Sequence, residues 1–464
     1  MPQYLSPGVY VEEVPSAVKP IAGVSTSTAG FIGIVADQLA VPPTFSTRTQ
    51  RIDSADGTKQ TFDLDAFPVV TTPDTYEVRV GNQQVAAALS NSESKSQVNL
   101  FVVPPKGAVI TVDYTVDAQR NVEIGTYDGT KKKFSLSTKG YPVVTDPNWF
   151  RIAIGDSAAA ATEVAARLDN TIVAEGEDQG KLIPEATFTK DPDASLKGKK
   201  VFADFRTFQP FKPTAPAGEP RLCTNFTEYK NAFGEFSLDP SHRQLTHAVY
   251  GFFNNGGTRC YVARVTKEDD IANALGAFEL VDEISIVAAP GFTSNKTRSA
   301  IVTHCEKMGN RFAILDGPAT ADTLQNLTTV GASGLMPGRT DYAAWYFPWI
   351  KVFDPVAEKY AGIPDGLVAM PPSGHIAGVY ARVDSERGVH KAPANETIRG
   401  ALDVTQRLSK AHQDGLNPKG VNCIRVLNDN ILIWGARTVG GDLNADLKYI
   451  NVRRTLLFLR QSID

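Results

Sequence analysis

A Ser-Gly-His triplet is the first place in this chain where covalent chemistry could be sought. Ser373 lies two residues before His375, so the pair could be read as a nucleophile with its base. Residues this close together on a helix do not face each other, however, and the G-x-S-x-G motif of serine hydrolases is absent. We therefore predict that Ser373 caps a helix.

Metal-binding and thiol chemistry are not indicated. His242 and His247 are separated by a spacing that does not place both on one helical face, and neither H-E-x-x-H nor H-x-H occurs. Carboxylates are dispersed through polar loops, so no acid/base pair stands out. The cysteines form no C-x-x-C pair, and we expect buried, reduced thiols at Cys223, Cys260, Cys305 and Cys423. The sequence thus predicts no metal site.

A nucleotide would need a glycine-rich cradle for its phosphates. The loop 290–297 follows an apolar run and contains the pair Lys296-Thr297, but it matches neither G-x-x-x-x-G-K-[ST] nor G-x-G-x-x-G. A polar loop that caps a helix explains it better. We predict no cofactor and no enzymatic activity, with a nucleotide-binding α/β enzyme as the alternative.

Composition bounds the partners. The chain has 464 residues, enough for roughly three domains of ~150 residues. Apolar residues make up 42% and charged residues 21%, and Lys plus Arg total 47 against 51 Asp plus Glu, for a net charge of −4. This balance lacks the basic excess typical of nucleic-acid or anionic-membrane binding. Neither a signal peptide nor an apolar run of ~18 residues is present, which predicts a soluble, unsecreted chain.

Beyond the prolines near residue 216, helical and strand periods alternate, which predicts an α/β fold. The apolar run 284–289, a helix from Thr297 to Met308 and a strand ending at Asp316 make a strand-helix-strand unit. An Ala-rich stretch, 158–170, has helical propensity. The last predicted helix starts near Asn451 and carries an apolar face composed of Val452, Leu456, Leu459 and Ile463.

The region from about 37 to 215 repeats itself. Asp56-Gly57-Thr58-Lys59 matches Asp128-Gly129-Thr130-Lys131, and Pro68-Val69-Val70 matches Pro142-Val143-Val144. Two copies are too few for a solenoid, and Asp-Gly turns between alternating runs favour small β modules. We predict an internal duplication over about 51–82 and 123–156.

The N-terminus carries an isolated strand signal. Pro7-Gly8 precedes the β-prone run of residues 9–14, and Pro15 ends the run before it could become a helix. An unpaired strand bounded by prolines is suited to strand addition on another sheet.

Several long words of this sequence, in this order, resemble the tail sheath proteins of contractile bacteriophages and related contractile injection systems. They cover the first 35 residues and most of 221–463: Tyr4-Leu5-Ser6-Pro7-Gly8-Val9-Tyr10-Val11-Glu12-Glu13, Ala29-Gly30-Phe31-Ile32-Gly33, Asn255-Gly256-Gly257-Thr258-Arg259-Cys260-Tyr261-Val262, residues 284–318, 371–382 and 391–395, and Tyr449-Ile450-Asn451-Val452-Arg453-Arg454.

This resemblance implies an α/β (α+β) sheath core domain with an inserted, mainly β, surface domain and extended terminal arms. Residues 1–20 would be the N-terminal arm, 21–36 the first core segment, 37–215 the outer insertion and 216–464 the conserved core. Sheath chains normally continue past the last helix with a closing strand, whereas this sequence stops at Asp464. Truncation and a variant linkage both remain open.

The resemblance also implies a function: a structural subunit that polymerises around an inner tube and contracts to drive the tube through a cell envelope. Partners would be other copies, the inner tube, and the baseplate and tail terminator proteins, in a virion tail or injection particle assembled in the bacterial host cytoplasm. A headless phage-like system and a receptor-binding tail component are the alternatives. Inter-subunit strand addition would involve Val9, Tyr10, Val11, Glu12, Glu13 and Val14; inner-tube contact would involve Arg453 and Arg454.

Overall fold

The computed structural model describes residues 26–463, apart from 43–45, 54, 66–68, 72–75, 92–94, 117–120, 139–140, 146, 148–149, 173–181, 332–333, 361–362, 364 and 444. The predicted N-terminal arm therefore lies outside the described residues. Within the described part, no helix combines the length and apolar character that a membrane span requires.

Strands and helices are mixed along the chain, so the α/β class is confirmed. The strands are β1 (Ala29–Ile34), β2 (Leu39–Val41), β3 (Ser46–Ile52), β4 (Thr61–Leu64), β5 (Glu77–Val80), β6 (Gln83–Gln84), β7 (Ala87–Asn91), β8 (Ser96–Leu100), β9 (Ile110–Val116), β10 (Val122–Thr126), β11 (Lys133–Ser135), β12 (Arg151–Gly155), β13 (Thr162–Glu163), β14 (Ala166–Ile172), β15 (Leu182–Phe188), β16 (Lys200–Asp204), β17 (Gln209–Phe211), β18 (Pro220–Cys223), β19 (Cys260–Val265), β20 (Ile286–Ala288), β21 (Phe312–Asp316), β22 (Ala343–Phe347), β23 (Ile350–Phe353), β24 (Leu367–Met370), β25 (Glu396–Thr397), β26 (Ala401–Val404), β27 (Val421–Leu427) and β28 (Asn430–Trp434). The α-helices are α1 (Phe226–Phe233), α2 (Pro240–Asn254), α3 (Ile271–Phe278), α4 (Asn295–Met308), α5 (Pro355–Tyr360), α6 (Ser373–Arg387), α7 (Lys410–Leu416) and α8 (Ile450–Ile463).

A nine-stranded sheet in the order β18-β19-β1-β20-β21-β22-β27-β28-β25 organises the core. The pairings from β19 to β27 are parallel, and the strands at both edges are antiparallel. Side chains alternate between two hydrophobic clusters, one containing residues of α2, α6 and α8, the other residues of α3, α4 and α7. In β1, for example, Phe31 joins the first cluster and Ile32 the second. This is the layered arrangement expected when crossover helices cover both faces of a parallel sheet.

Between β2 and β17 lie two β segments that share one topology. In the first, β3-β9-β5-β6 face β4-β8-β7; in the second, β10-β16-β12-β13 face β11-β15-β14. Each segment has its own hydrophobic cluster. Two polar devices also recur. The carboxylates of Asp56 and Asp128 accept hydrogen bonds from backbone amides two and three residues on.

An asparagine clamp is the second device. The Asn91 side chain binds both backbone groups of Val69 at 3.0 and 2.7 Å, and the Asn170 side chain binds those of Val143, both at 2.8 Å. Each amide thus satisfies a donor and an acceptor of an extended residue that has no ladder partner on that side.

One expectation about the second segment is wrong. The Ala-rich stretch 158–170, predicted as helix, contains β13 and most of β14. β14 pairs with β15 over its full length, from Ala166 opposite Phe188 to Ile172 opposite Leu182. Intrinsic helix propensity is a weak preference of a few tenths of a kcal/mol per residue, and the ladder overrides it.

Helices α2 and α6 approach closely through glycines. A Cβ added at Gly374 would lie 2.3 Å from the Cα of Ala248, and one at Gly378 would lie 2.4 Å from the carbonyl oxygen of Phe252. Both neighbours are backbone atoms of α2, which cannot rotate away. The two glycines therefore set the distance between the helices.

We expect Gly378→Ala to lower the free energy of unfolding by about 1–3 kcal/mol, because the added methyl group forces α6 away from α2. Gly276→Ala is the matched control. Gly276 is exposed on α3 with no atom within 4 Å of an added Cβ, and the same substitution there should raise stability by about 0.5–1 kcal/mol. Thermal and urea unfolding measure both; equal effects would contradict the role of the close approach.

Candidate assembly surfaces

The described chain begins at Thr26, in a site made by α6 and α8. The Thr26 hydroxyl donates to the Asp384 carboxylate at 2.8 Å, and the Arg454 guanidinium donates to the Thr26 carbonyl oxygen at 2.8 Å. The Thr26 backbone therefore lies beside α8. The six residues predicted for strand addition, Val9 to Val14, lie outside the described residues, and their role stays a prediction.

Arg454 is buried in an ion pair. Its side chain and that of Asp384 are each 4% exposed, with two N–O distances of 2.8 and 2.6 Å. The guanidinium also lies over the Tyr380 ring, 4.8 Å from its centroid. A fork of parallel hydrogen bonds is the strongest arrangement that an arginine and a carboxylate can make. Arg454 thus fastens α8 to α6 and to the start of the described chain.

Arg453 is also engaged within the chain. Its guanidinium lies 3.7 Å from the centroid of the Tyr342 ring, and its Nε is 3.5 Å from the Asp341 carboxylate. Both arginines that the resemblance assigns to inner-tube contact are therefore held against the core. Inner-tube contact by Arg453 and Arg454 stays a prediction, and it would have to compete with these internal partners.

The surface that α8 presents to solvent is apolar. Its core-facing residues are Ile450, Arg454 and Leu457, all buried. The apolar face that the sequence predicted is on the opposite side of the helix and faces solvent. Tyr449, just before the helix, extends this face. The exposed residues recur at alternating spacings of three and four: Tyr449, Val452, Leu456, Leu459 and Ile463. This is the heptad spacing of a helix that packs against another helix. We call these five residues the α8 stripe.

Asp316, at the end of β21, is a buried carboxylate that the sequence did not single out. It accepts hydrogen bonds from the backbone amide and the hydroxyl of Ser373, at 2.9 and 2.7 Å, and from the Gly291 amide at 3.2 Å. Burial raises its pKa to about 6, against the opposing effect of these donors. The carboxylate therefore ties the β20–α4 loop to the first turn of α6.

The prediction that Ser373 caps α6 is wrong in detail. Ser373 is the first helical residue, Pro372 occupies the N-cap position, and the Ser373 hydroxyl donates to Asp316. His375 is buried, and its pKa is lowered to about 3 by burial, with a further contribution from the nearby His247. A serine that donates to a carboxylate and a histidine buried against Gly251 do not form a nucleophile-base pair.

His247 belongs to a separate buried cluster. Its Nε2 lies 3.0 Å from the Asp354 carboxylate, and the Arg243 Nε lies 3.4 Å from the same carboxylate. Asp354 also accepts hydrogen bonds from the amides of Val356 and Ala357, which begin α5. The groups join α2 to the start of α5. Across the described ranges, no group of three or more histidine, cysteine, aspartate or glutamate side chains could hold a metal ion.

The loop 290–297 caps a helix as predicted. The Ser294 hydroxyl accepts the Thr297 amide at 3.2 Å and begins α4, while the Lys296 ammonium pairs with Asp269. The lysine of the Lys-Thr pair is thus held by a carboxylate. The cysteine prediction is also confirmed: all four thiols are free and buried.

Sequence reasoning missed Asp316, Asp354 and Asp384, three carboxylates that join separate elements of the core. Each finds its main partner far along the chain, as Asp384 does in Arg454. One signal was available for Asp316, because an aspartate directly after four apolar strand residues, Phe312 to Leu315, is out of place in a buried sheet unless it is paired.

Comparison with known proteins identifies the central part of the chain. Residues 264–439 match the phage tail sheath protein central domain. A tail sheath protein of Burkholderia phage BcepMu is 25% identical over 227 residues, which are 46% of this chain and 44% of the phage protein. The chain thus matches less than half the length of that curated relative.

Solved structures of sheath assemblies are also similar. The anti-feeding prophage helical sheath in the contracted state is 29% identical, with a TM-score of 0.44, over 55% of this chain and 66% of that chain. The PVC sheath complex of an extracellular contractile injection system, also contracted, is 27% identical, with a TM-score of 0.44, over 54% of this chain and 63% of that chain.

Proposed function

We propose, from the premise that this chain belongs to the phage tail sheath protein family, that it polymerises around an inner tube and drives that tube through a target envelope by contraction. The observation that carries the proposal is the central-domain match over 264–439, which covers most of the nine-stranded sheet and its crossover helices. The protein is a structural component, as its relatives are, and not an enzyme.

Assembly through the N-terminal segment is the first part of the proposal. We assign strand addition to Val9, Tyr10, Val11, Glu12, Glu13 and Val14, whose chain leads to Thr26 beside α8. About five ladder hydrogen bonds at ~1 kcal/mol each give ~5 kcal/mol, whereas ordering the same residues costs ~1–2 kcal/mol apiece. One such contact is therefore marginal. Many contacts per subunit, each later one effectively intramolecular, make the array stable.

The division of the chain follows from the same proposal. Residues 1–20 act as an arm, 21–36 and 216–464 form the conserved core, and 37–215 form a duplicated, mainly β, outer insertion. The two segments of shared topology support the insertion, since each has a hydrophobic cluster of its own. During contraction, subunits move as near-rigid bodies hinged at their arms, and new burial and charge pairing between subunits supply the work.

The proposed partners are other copies of the chain, an inner tube, a baseplate and a tail terminator, in a particle assembled in the bacterial host cytoplasm. The exposed α8 stripe supports such contacts, because its heptad spacing fits a helical partner. A headless injection particle is the second candidate. It is favoured by the similarity to the anti-feeding prophage and PVC sheaths, whereas the phage relative favours a virion tail.

A single proline tests the strand-addition mechanism. Proline lacks the amide donor, so Val11→Pro removes a ladder hydrogen bond without shortening the arm. We expect the wild-type chain, co-produced with its tube protein, to form sheaths visible by electron microscopy. Val11→Pro should remain monomeric with an unchanged melting temperature.

Val11→Ile is the control, because isoleucine keeps the donor and the β-branched shape, and it should assemble as the wild type does. Sheaths formed equally well by Val11→Pro would contradict strand addition through this segment. A wild-type chain that stays monomeric with its tube under every condition would contradict the sheath function itself.

A further inference from the structure

The two β segments carry equivalent loops, β8–β9 and β15–β16. Each loop starts with the same pair of backbone hydrogen bonds. In the first, Leu100 and Phe101 donate to the carbonyls of Gln60 and Ala86, at 2.8 and 3.2 Å.

In the second loop, Phe188 and Thr189 donate to the carbonyls of Lys132 and Ala165, both at 2.9 Å. Phe101 therefore corresponds to Thr189. The next residues align in order, so that a proline, Pro104 or Pro192, closes both stretches.

The side chains at these matched positions are opposite in character. Phe101, Val102 and Val103 in the first loop are 64%, 73% and 41% exposed. Their counterparts Thr189, Lys190 and Asp191 are exposed too, but all three are polar, and Asp191 pairs with Lys132 at 2.5 Å. The first loop has no such pair available, since Gln60 stands where Lys132 does. One scaffold thus carries a solvated tip in one segment and an apolar tip, Phe101 to Val103, in the other.

The apolar tip is held in place from beneath. Pro104 is buried, and the Gly107 amide donates to the Ala55 carbonyl at 2.8 Å in a left-handed turn with φ of 80°. A loop fixed in this way loses little conformational freedom when a partner covers it. Three adjacent exposed apolar residues on a prepared loop therefore favour an interaction surface over an unstructured connection.

We propose that the apolar tip contacts a second copy of this chain in the assembled sheath; this inference rests on the proposed function. The size of the tip supports that occupant. Three side chains offer at most a few hundred Å², well below the ~800 Å² per partner that a stable pairwise complex buries. The tip cannot hold a partner alone. It contributes where other contacts already place a neighbour, and in a polymer of one chain that neighbour is another copy.

The matched positions of the second loop provide the substitutions for the test. The triple variant Phe101→Thr, Val102→Lys and Val103→Asp carries the residues that the second loop tolerates in the same backbone. We expect its monomer to melt within a few degrees of the wild type, and the critical concentration for sheath assembly with the tube protein to rise about tenfold or more. Sedimentation and electron microscopy across a concentration series measure this.

Two further variants separate apolar contact from added charge. Val102→Thr with Val103→Thr introduces no charge and should also raise the critical concentration, whereas Val102→Ile keeps the tip apolar and should not. The triple Thr189→Ser, Lys190→Arg and Asp191→Glu in the second loop should assemble normally. The inference would be overturned if the first-loop triple variant and the Val102→Thr, Val103→Thr variant both assembled as the wild type does. Sheaths formed by the wild type would in that case still support the proposed sheath function. Flotation of the wild-type monomer, but not the triple variant, with phosphatidylglycerol vesicles would overturn it in favour of a lipid surface.

Discussion

Acidification from about pH 7 to pH 4 is expected to remove roughly 6 kcal/mol from the free energy of unfolding, a large share of the stability of an ordinary domain. Three buried histidines are responsible. Burial lowers the pKa of His242 and His304 to about 4 and that of His375 to about 3. Urea unfolding curves recorded at intervals from pH 8 to pH 4 give the free energy of unfolding at each pH, and therefore its slope against pH.

The free energy of unfolding falls with pH because the unfolded chain binds more protons than the folded one. Between the unfolded pKa of 6.5 and about 4, each of these histidines binds a proton when unfolded and none when folded. Unfolding therefore takes up protons, and stability falls as the pH falls. Each histidine removes about 3 kcal/mol over this interval. Asp316 acts in the opposite direction: its folded pKa of about 6 lies above the unfolded 3.8, so it returns about 3 kcal/mol.

His375→Gln isolates one of these protons. Removing the ionisable ring should reduce the slope by about 1.4 kcal/mol per pH unit between pH 6 and pH 4, whatever the variant costs at neutral pH. His390→Gln, on an exposed side chain, is the matched control and should leave the slope unchanged. A wild-type free energy of unfolding that stays constant over this range would contradict the expectation, because it would mean that the buried histidines bind protons in the folded chain as well.

Local sequence signals predicted the elements of the core well. The polar loop 290–297 was expected to cap a helix running from Thr297 to Met308, and the structure has α4 there, from Asn295 to Met308. The apolar runs around Phe31 and Ile314 form buried strands β1 and β21. These features depend on residues within a few positions of one another, which is the range over which capping, periodicity and turn chemistry act.

The orientation of elements was not predictable in this way. Periodicity placed Val452, Leu456, Leu459 and Ile463 on one face of α8, and they do share a face, but that face is exposed. A hydrophobic period identifies residues that lie together without stating what they pack against. The buried face of α8 contains an arginine, which hydropathy assigns to solvent, because its partner Asp384 is distant in the sequence.

The site residues illustrate the same limit. Arg454 was selected for its charge and for a resemblance, and the structure surrounds it with an aspartate, a tyrosine ring and the carbonyl of Thr26. Burying an arginine is costly unless every donor finds an acceptor. No local pattern reveals whether such acceptors exist, so only the folded chain distinguishes an anchor from a surface contact.

Arg454→Met is expected to cost about 3–5 kcal/mol locally, because it leaves the Asp384 carboxylate buried without its cation. The loss should appear first in α8 and at Thr26, both of which Arg454 holds. Hydrogen exchange resolved by segment is the appropriate measurement, since a chain with several hydrophobic clusters need not unfold in one step. Amides of α8 should exchange faster, while those of β20 and β21 keep their protection.

Two comparisons give this experiment its meaning. Arg460→Met, on an exposed side chain of the same helix, should change stability by less than about 0.5 kcal/mol. The double variant Arg454→Met with Asp384→Leu removes both charges and should recover much of the loss, because an apolar pair of similar volume can replace a buried ion pair.

The same variants decide between the two roles open to Arg454. An anchor predicts that the double variant regains both α8 protection and sheath assembly, since the helix is again fixed in place. If Arg454 instead binds the inner tube through its charge, a different result is expected. The double variant would then be stable and form normal contacts between copies, but it would not retain the tube. Because the internal partners of Arg454 leave only 4% of its side chain exposed, we expect the first pattern.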